Sequence, residues 1–294
     1  MVGSRGHYEN FPVGSVLLPR RMRRHVAALY AFARTADDFA DEGTRPPDER
    51  LRLLVGWQRR LRHAAASDEP GDPPAEGEPP DTVEIFRALG ASIRERALPV
   101  SLFEDLLSAF RQDVTVTRYS TWDDLFDYCG RSANPVGRLV LRIAGYQDVR
   151  MDEWSDRICT ALQLANFWQD LKVDFDRGRI YLPSEEQRAH GAREDDLRAG
   201  QVPLAWQQAL AAAATRTRTL FDAGRPLCAA VRGRLRYELR ATWLGGVRIL
   251  DRLEDGRFDV IRHRPTLGPL DAPWFAWRML TWEGSRRPSG LQAT

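Results

Sequence analysis

Lysine is almost missing from this chain. Lys172 stands alone among the 43 lysines and arginines in 294 residues. Guanidinium groups therefore carry nearly all the positive charge, and their planar forks suit carboxylate and phosphate oxygens. A surplus of charge is missing too. The formal net charge of +2 offers no electrostatic case for nucleic acid. Cysteine is scarce and odd in number. Cys129, Cys159 and Cys228 each sit in an apolar context, so they read as small buried residues of a reducing cytoplasm and argue against a disulfide framework. No stretch approaches the ~18 apolar residues of a membrane span, and residues 1–12 hold no apolar core of signal-peptide type. Strand patterning is absent apart from short ambiguous runs. None of the five histidines follows a glutamate by three residues, which removes the di-metal carboxylate bundle. No G-x-G-x-x-G fingerprint for a nicotinamide cofactor occurs.

What is present is helical periodicity, almost from end to end. The spacing of apolar residues predicts helices over about 19–42, 48–66, 81–96, 99–117, 121–145, 151–175, 203–223, 225–255 and 271–282. This makes the chain all-α, and residues 1–294 read as a single domain. Residues 67–80 (SDEPGDPPAEGEPP) are acidic and rich in proline and glycine. They predict a flexible surface loop that a short linker could replace. Residues 287–294 predict a frayed tail.

Two acidic clusters interrupt the pattern. Asp37, Asp38 and Asp41 lie near the end of a helix that Gly43 and Pro46-Pro47 should stop, where the helix dipole disfavours negative charge. Gln163, Asn166, Asp170 and Asp174 form a polar stripe on an otherwise apolar helix. Acids four apart share a helix face, at a cost of roughly 0.2–0.5 kcal/mol per like-charged pair. An isolated pair near a helix end is usually a solvated terminus. Two matched clusters in one helical chain point instead to a cation. Oxygen-only ligands suit Mg²⁺, which commonly binds through carboxylates and substrate phosphates. Asp37, Asp38, Asp41, Asn166, Asp170 and Asp174 are the candidate ligands. They are expected to serve chemistry and not folding, so Asp41→Asn or Asp170→Asn should leave the melting temperature nearly unchanged. Acidic walls on an apolar bundle suit an apolar substrate with a diphosphate head, with arginines completing the grip and aromatic faces available to a carbocation.

These residues resemble the squalene/phytoene synthase family over most of the chain, from about residue 7 to residue 267. Asp37–Asp41 is similar to the family's first aspartate motif, and Asn166, Asp170 and Asp174 to its second, with Gln163 in place before it. Tyr30 and Arg34 match positions used toward the diphosphate. His7, Asn10 and Phe11 resemble an N-terminal flap. Tyr128 with Ala133, Val136 and Gly137 resembles the central tyrosine and small-residue kink, and Arg179 and Tyr181 match the loop after the second motif. There are departures: Gln169 stands where many relatives carry arginine, Gly245 or Gly246 stands in place of a tyrosine, and the kink contains Asn134-Pro135.

The resemblance implies an isoprenoid synthase bundle with a central cavity flanked by two aspartate-rich helices. It implies Mg²⁺ as cofactor and Asp37, Asp41, Asp170, Asp174 and Tyr128 as catalytic residues. Residues 7–13 and the kink are most similar to one bacterial branch. That likeness implies presqualene diphosphate as substrate and capture of its rearranged cation by water, giving hydroxysqualene without a nicotinamide cofactor. Asn134 and Tyr128 are candidates to hold that water. Head-to-head condensation to presqualene diphosphate or phytoene is the alternative, and a non-catalytic assembly role the remote one. The aromatic stretch 274–282 predicts either a helix packed on the bundle or a contact with the inner membrane face.

Overall fold

The computed structural model describes residues 18–41, 43–69 and 71–282. Among them there is no strand, only one isolated bridge between Arg118 and Ile180. The first layer holds α1 (Arg20–Asp41), α2 (Pro47–Ala66), α3 (Thr82–Arg96) and α4 (Val100–Asp113). Gly43 at φ +80° and Pro47 in the first turn of α2 end one helix and start the next, as their chemistry predicts. Trp57 seals this layer. It is fully buried against Phe32, Phe39 and Phe86, and its indole N–H donates to the Phe32 carbonyl at 3.2 Å.

The expected helix over 121–145 is two: α5 (Trp122–Ser132) and α6 (Asn134–Ala144), hinged at Ala133. Pro135 supplies no donor to the preceding turn, so the ladder breaks just before it. A capping box between Thr121 and Asp124 starts α5. The stretch 151–175 is likewise divided, into α7 (Val149–Gln169) and α8 (Leu171–Asp176) at Asp170, while the Asp174 N–H still reaches the Asp170 carbonyl at 2.8 Å. Two short helices unmarked by periodicity follow, α9 (Ser184–His190) and α10 (Glu194–Arg198). Then come α11 (Leu204–Gly224), α12 (Leu227–Ala230), α13 (Arg234–Asp255) and α14 (Ala272–Leu280). The expected single helix over 225–255 is broken by Gly233 at φ +63°.

Helix α7 is the axle, packed on α5, α6, α11 and α13. Its apolar residues surround it, as befits a helix enclosed by others. Close approach to α6 requires Gly137: a Cβ there would sit 2.3 Å from Ser155 Oγ and 2.5 Å from Cys159 Sγ. Cys129 and Cys228 are buried as expected, whereas Cys159 is half-buried and all three are free thiols.

The described residues of 67–80 carry no helix of their own, yet they make specific contacts with α2. Arg60 of α2, buried, binds Glu78 at 2.7 Å and the carbonyls of Asp72 and Pro73 at 2.7 Å each. Composition alone suggested too little apolar surface to order this segment. One buried guanidinium offsets that lack with charge-assisted hydrogen bonds. At the other end, α14 packs Trp274, Phe275 and Met279 against the core. No helix among the described residues is long and apolar enough to cross a membrane.

Candidate active site

The helices enclose a mostly apolar cavity of about 1090 Å³, its open mouth included. Val136, Gly137, Val140 and Leu141 of α6, Ile158 and Leu162 of α7, and Leu227 and Leu239 form its walls. The broken helix pair α5–α6 brings Tyr128, Ser132, Ala133 and Val136 to the same wall, so the kink shapes the cavity. A second hollow of about 680 Å³, its open mouth included, adjoins it, sharing Leu162 and Thr242 and reaching Asn166, Gln169, Gly245 and Gly246. Gly246 is required by packing: a Cβ there would lie 2.3 Å from the Phe221 ring.

One end of the main cavity is acidic. Asp37 and Asp41 of α1 line it, joined by Asp113 at the end of α4. The bridge at Ile180 brings Arg179 and Tyr181 to the same place, with the Ile180 N–H donating to the Thr117 carbonyl at 3.0 Å. Arg179 grips Asp41 in bidentate fashion at 2.6 and 2.8 Å and also donates to the Asp113 carbonyl at 3.0 Å. The Tyr128 hydroxyl donates to Asp113 Oδ2 at 2.9 Å. Tyr181 stacks on Phe167 with centroids 3.7 Å apart. Arg34 pairs with Asp38 at 2.7 Å and Asp37 at 3.4 Å.

The second cluster lies beside the cavity lining and not within it. Asn166 Nδ2 donates to Asp170 Oδ2 at 2.9 Å, which leaves Asn166 Oδ1 buried without a hydrogen-bond partner among the described residues. Arg264 grips both oxygens of Asp170, through Nε on Oδ1 and through Nη2 on Oδ2 at 3.1 Å. Asp174 is 1% exposed.

Burial has a clear electrostatic price here. It pushes Asp113 up to about 7, with Asp41 adding to the effect. Burial and then Asp170 push Asp174 up to about 7 as well. Asp37 is raised well above the usual carboxylate range by burial and by Asp41. Tyr128 and Tyr181 rise for the same first reason, with Asp113 next. The charges of both clusters act on each other, since Asp41 contributes to the rise at Asp174 and Arg179 opposes it.

Among the described residues no three His, Cys, Asp or Glu side chains converge into a ready metal cage. The donor chemistry nonetheless fits a hard cation that completes its shell with phosphate oxygens. The donors are all oxygen, and buried carboxylates held above their usual range gain from a positive charge. The Asn166 and Asp113 Oδ1 atoms are buried acceptors without a hydrogen bond among the described residues.

The structure thus brings together Asp37, Asp41, Tyr128, Gln163 and Tyr181 at the cavity, with Arg179 bound to Asp41 and with Asn166, Asp170 and Asp174 alongside. Tyr30 is half-buried on α1, outside the lining. Asn134 corrects its expectation. It accepts from Thr160 Oγ1 at 2.9 Å and faces an outer groove with Phe126, Asp156 and Arg216. The break at Pro135 turns it outward, away from the cavity. His7, Asn10 and Phe11 lie outside the described residues. Two site residues escaped sequence reading, Asp113 and Arg264. Asp113 is a lone acid closing an apolar helix, and Arg264 one arginine among many, so neither forms a spaced pattern.

The sequence profile described as squalene/phytoene synthase matches residues 4–271. A hydroxysqualene synthase of Sinorhizobium fredii is 34% identical over 284 residues, covering 96% of this chain and 91% of the relative. That of Zymomonas mobilis is 37% identical over 235 residues, covering 79% and 74%. Among solved structures, the squalene synthase HpnC from Alicyclobacillus acidocaldarius superposes with a TM-score of 0.75 at 40% identity, covering 86% of this chain and 90% of that one.

Proposed function

The chain belongs to the squalene/phytoene synthase family, and from that footing we propose that it is a Mg²⁺-dependent hydroxysqualene synthase acting on presqualene diphosphate. The observation that carries the reading is one cavity, acidic at one end and apolar elsewhere, in a chain similar to hydroxysqualene synthases over nearly its full length. Two adjoining chambers, divided by Leu162 and Thr242, suit a substrate with two long apolar arms.

Asp37, Asp41, Asn166, Asp170 and Asp174 would hold Mg²⁺, which when bound neutralises diphosphate charge as the leaving group departs. Arg179 and Arg264, each paired with a carboxylate of a different cluster, bring guanidinium charge to the end of the site where a diphosphate would lie. Tyr30 and Arg34 lie on the helix that carries the first cluster, and Gln163 presents an amide to the cavity. The C–O bond to diphosphate breaks with its electron pair. The faces of Phe110, Phe167 and Tyr181 stabilise the resulting cation, while Val136, Val140, Leu141 and Leu239 exclude bulk solvent. Tyr128, held by Asp113, stays protonated beside it. One water oxygen forms the new C–O bond, and its surplus proton passes to the released diphosphate. Ser132, Ser155, Gln163 and Thr242 are the polar lining groups available to that water, since Asn134 faces away.

The test is turnover of presqualene diphosphate in ¹⁸O-water with Mg²⁺ and no NADPH. The expected product is hydroxysqualene carrying ¹⁸O, seen by mass spectrometry. Unlabelled alcohol, squalene formed only with NADPH, or no consumption of the substrate would sink the assignment and favour head-to-head condensation.

We also propose a peripheral contact with an anionic membrane. Leu270 and Trp277 are 93% and 66% exposed. Arg225, Arg240, Arg248 and Arg278 stack on neighbouring tryptophans, with Asp271 the nearby acid. An exposed apolar pair on a segment whose Trp274 and Trp282 carry arginines suits an interfacial position. Leu270→Glu with Trp277→Glu is expected to reduce flotation with phosphatidylglycerol vesicles while leaving the melting temperature intact. Equal flotation of this variant and the parent would refute the contact.

A further inference from the structure

Five arginines fall between positions 225 and 240, Arg225, Arg232, Arg234, Arg236 and Arg240, against one acid, Glu238. Glu238 is buried. It lies two residues from both Arg236 and Arg240, about 200° around α13, so it points away from them. Arg236 and Arg240 are one turn apart and share a face. Arg225 closes α11, which packs against α13.

Trp282 brings two of these cations together. The Cζ of Arg225 lies 4.9 Å from its ring centroid and the Cζ of Arg240 4.8 Å. Trp243 meets the same ring edge-on at 5.5 Å, and Arg225 Nη2 donates to the Trp282 carbonyl. Arg236 donates its Nε–H to the Val231 carbonyl at 3.0 Å. Among the described residues no carboxylate pairs with Arg225, Arg236 or Arg240. The Nε atoms of Arg225 and Arg240 are both buried, and neither has an acceptor among the described residues. A buried donor left without a partner costs about 1–3 kcal/mol and calls for an explanation, of which an ion is one. Two such donors, on two guanidinium groups that stack on one indole, have the same explanation. Burial, and then the charges of Arg236 and Arg225, hold Arg240 below its ordinary pKa. Like charges gathered without an acid prepare the place for an anion.

We propose that this corner is a headgroup site, in which Arg225 and Arg240 grip the phosphate of an anionic membrane lipid and Arg236 adds charge. Planar guanidinium forks match phosphate oxygens. The lipid is the source because the same C-terminal segment carries the exposed Leu270 and Trp277, an apolar surface suited to the interface. The site deepens the peripheral contact proposed above and rests on that reading. Arg225 and Arg240 line neither the main cavity nor the hollow beside it.

The experiment is calorimetric titration in EDTA with three probes: dihexanoyl phosphatidylglycerol below its micelle concentration, dihexanoyl phosphatidylcholine, and inorganic phosphate. The parent is expected to bind the phosphatidylglycerol monomer more tightly than either of the others. Arg240→Gln is expected to weaken that binding about tenfold, the effect of one hydrogen bond to a charged group. Its kcat and melting temperature should stay nearly unchanged, because Arg240 donates no hydrogen bond to the described residues. Arg240→Lys keeps the charge without the planar fork and should remain as weak as Arg240→Gln. Lysine binding like the parent would reduce the site to a diffuse positive patch and overturn the proposal. Unchanged binding in Arg240→Gln would overturn it too, as would tighter binding of inorganic phosphate or of phosphatidylcholine. A parent that floats with phosphatidylglycerol vesicles but does not bind the monomer would overturn the headgroup site and leave the peripheral contact standing. A parent that does neither would overturn both.

Discussion

Asp174→Asn is expected to abolish turnover and to stabilise the chelator-treated protein at pH 8, whereas Asp41→Asn should abolish turnover and destabilise it. Asp174 is 1% exposed, and burial followed by Asp170 pushes its carboxyl up to about 7. Between an unfolded value near 3.8 and the folded value, the folded chain binds more protons than the unfolded one. Stability therefore falls as pH rises through that window, and the full penalty is present above it. Asparagine removes the penalty. The gain should reach roughly 4 kcal/mol at pH 8 and should vanish near pH 4.

Asp41 differs because Arg179 is paired to it through two hydrogen bonds, with side chains only 12% and 14% exposed. Neutralising Asp41 leaves a buried guanidinium poorly compensated, at a cost of roughly 3 kcal/mol. The sequence reading treated Asp41 and Asp170 as sites whose neutralisation leaves stability nearly untouched. The pairing with Arg179 predicts a different outcome for Asp41. Thermal melts of both variants in EDTA, at pH 4 and pH 8, decide the matter. Equal shifts for the two would contradict the electrostatic difference.

Arg60→Ala should cost roughly 3 kcal/mol, in the range for breaking a buried ion pair. Arg60 and Glu78 have side chains 9% and 3% exposed. Alanine would leave the Glu78 carboxylate uncompensated and strip donors from the Asp72 and Pro73 carbonyls. Arg60 lies outside the lining of the catalytic cavity, so kcat at low temperature should survive while the melting temperature drops by several degrees. The companion variant Arg60→Ala with Glu78→Gln should recover part of the loss, because no buried charge is then left alone. A melting temperature unaffected by Arg60→Ala would mean that the docked course of residues 67–80 contributes nothing to stability.

Sequence alone determined the helices and the two acid-bearing faces. Both are local properties: a 3.6-residue repeat of apolar side chains, proline and glycine at helix ends, and acids one turn apart. The division at Ala133 fell within a helix expected over 121–145, and Pro135, named in the sequence as part of a kink, marks the place. The tertiary structure decided what meets what. Asp113 joined the acidic end because α4 stops beside the bridge at Ile180. Arg264 reached Asp170 across 94 positions of chain, and Arg60 ordered a segment whose composition alone predicted freedom. Asn134 was turned outward to Thr160 by the same proline that made it conspicuous. Periodicity encodes which face of a helix is wet or dry. The pairing of one arginine among dozens with one acid depends on distances that only the packed bundle sets, since a charge finds its partner through space and not along the chain.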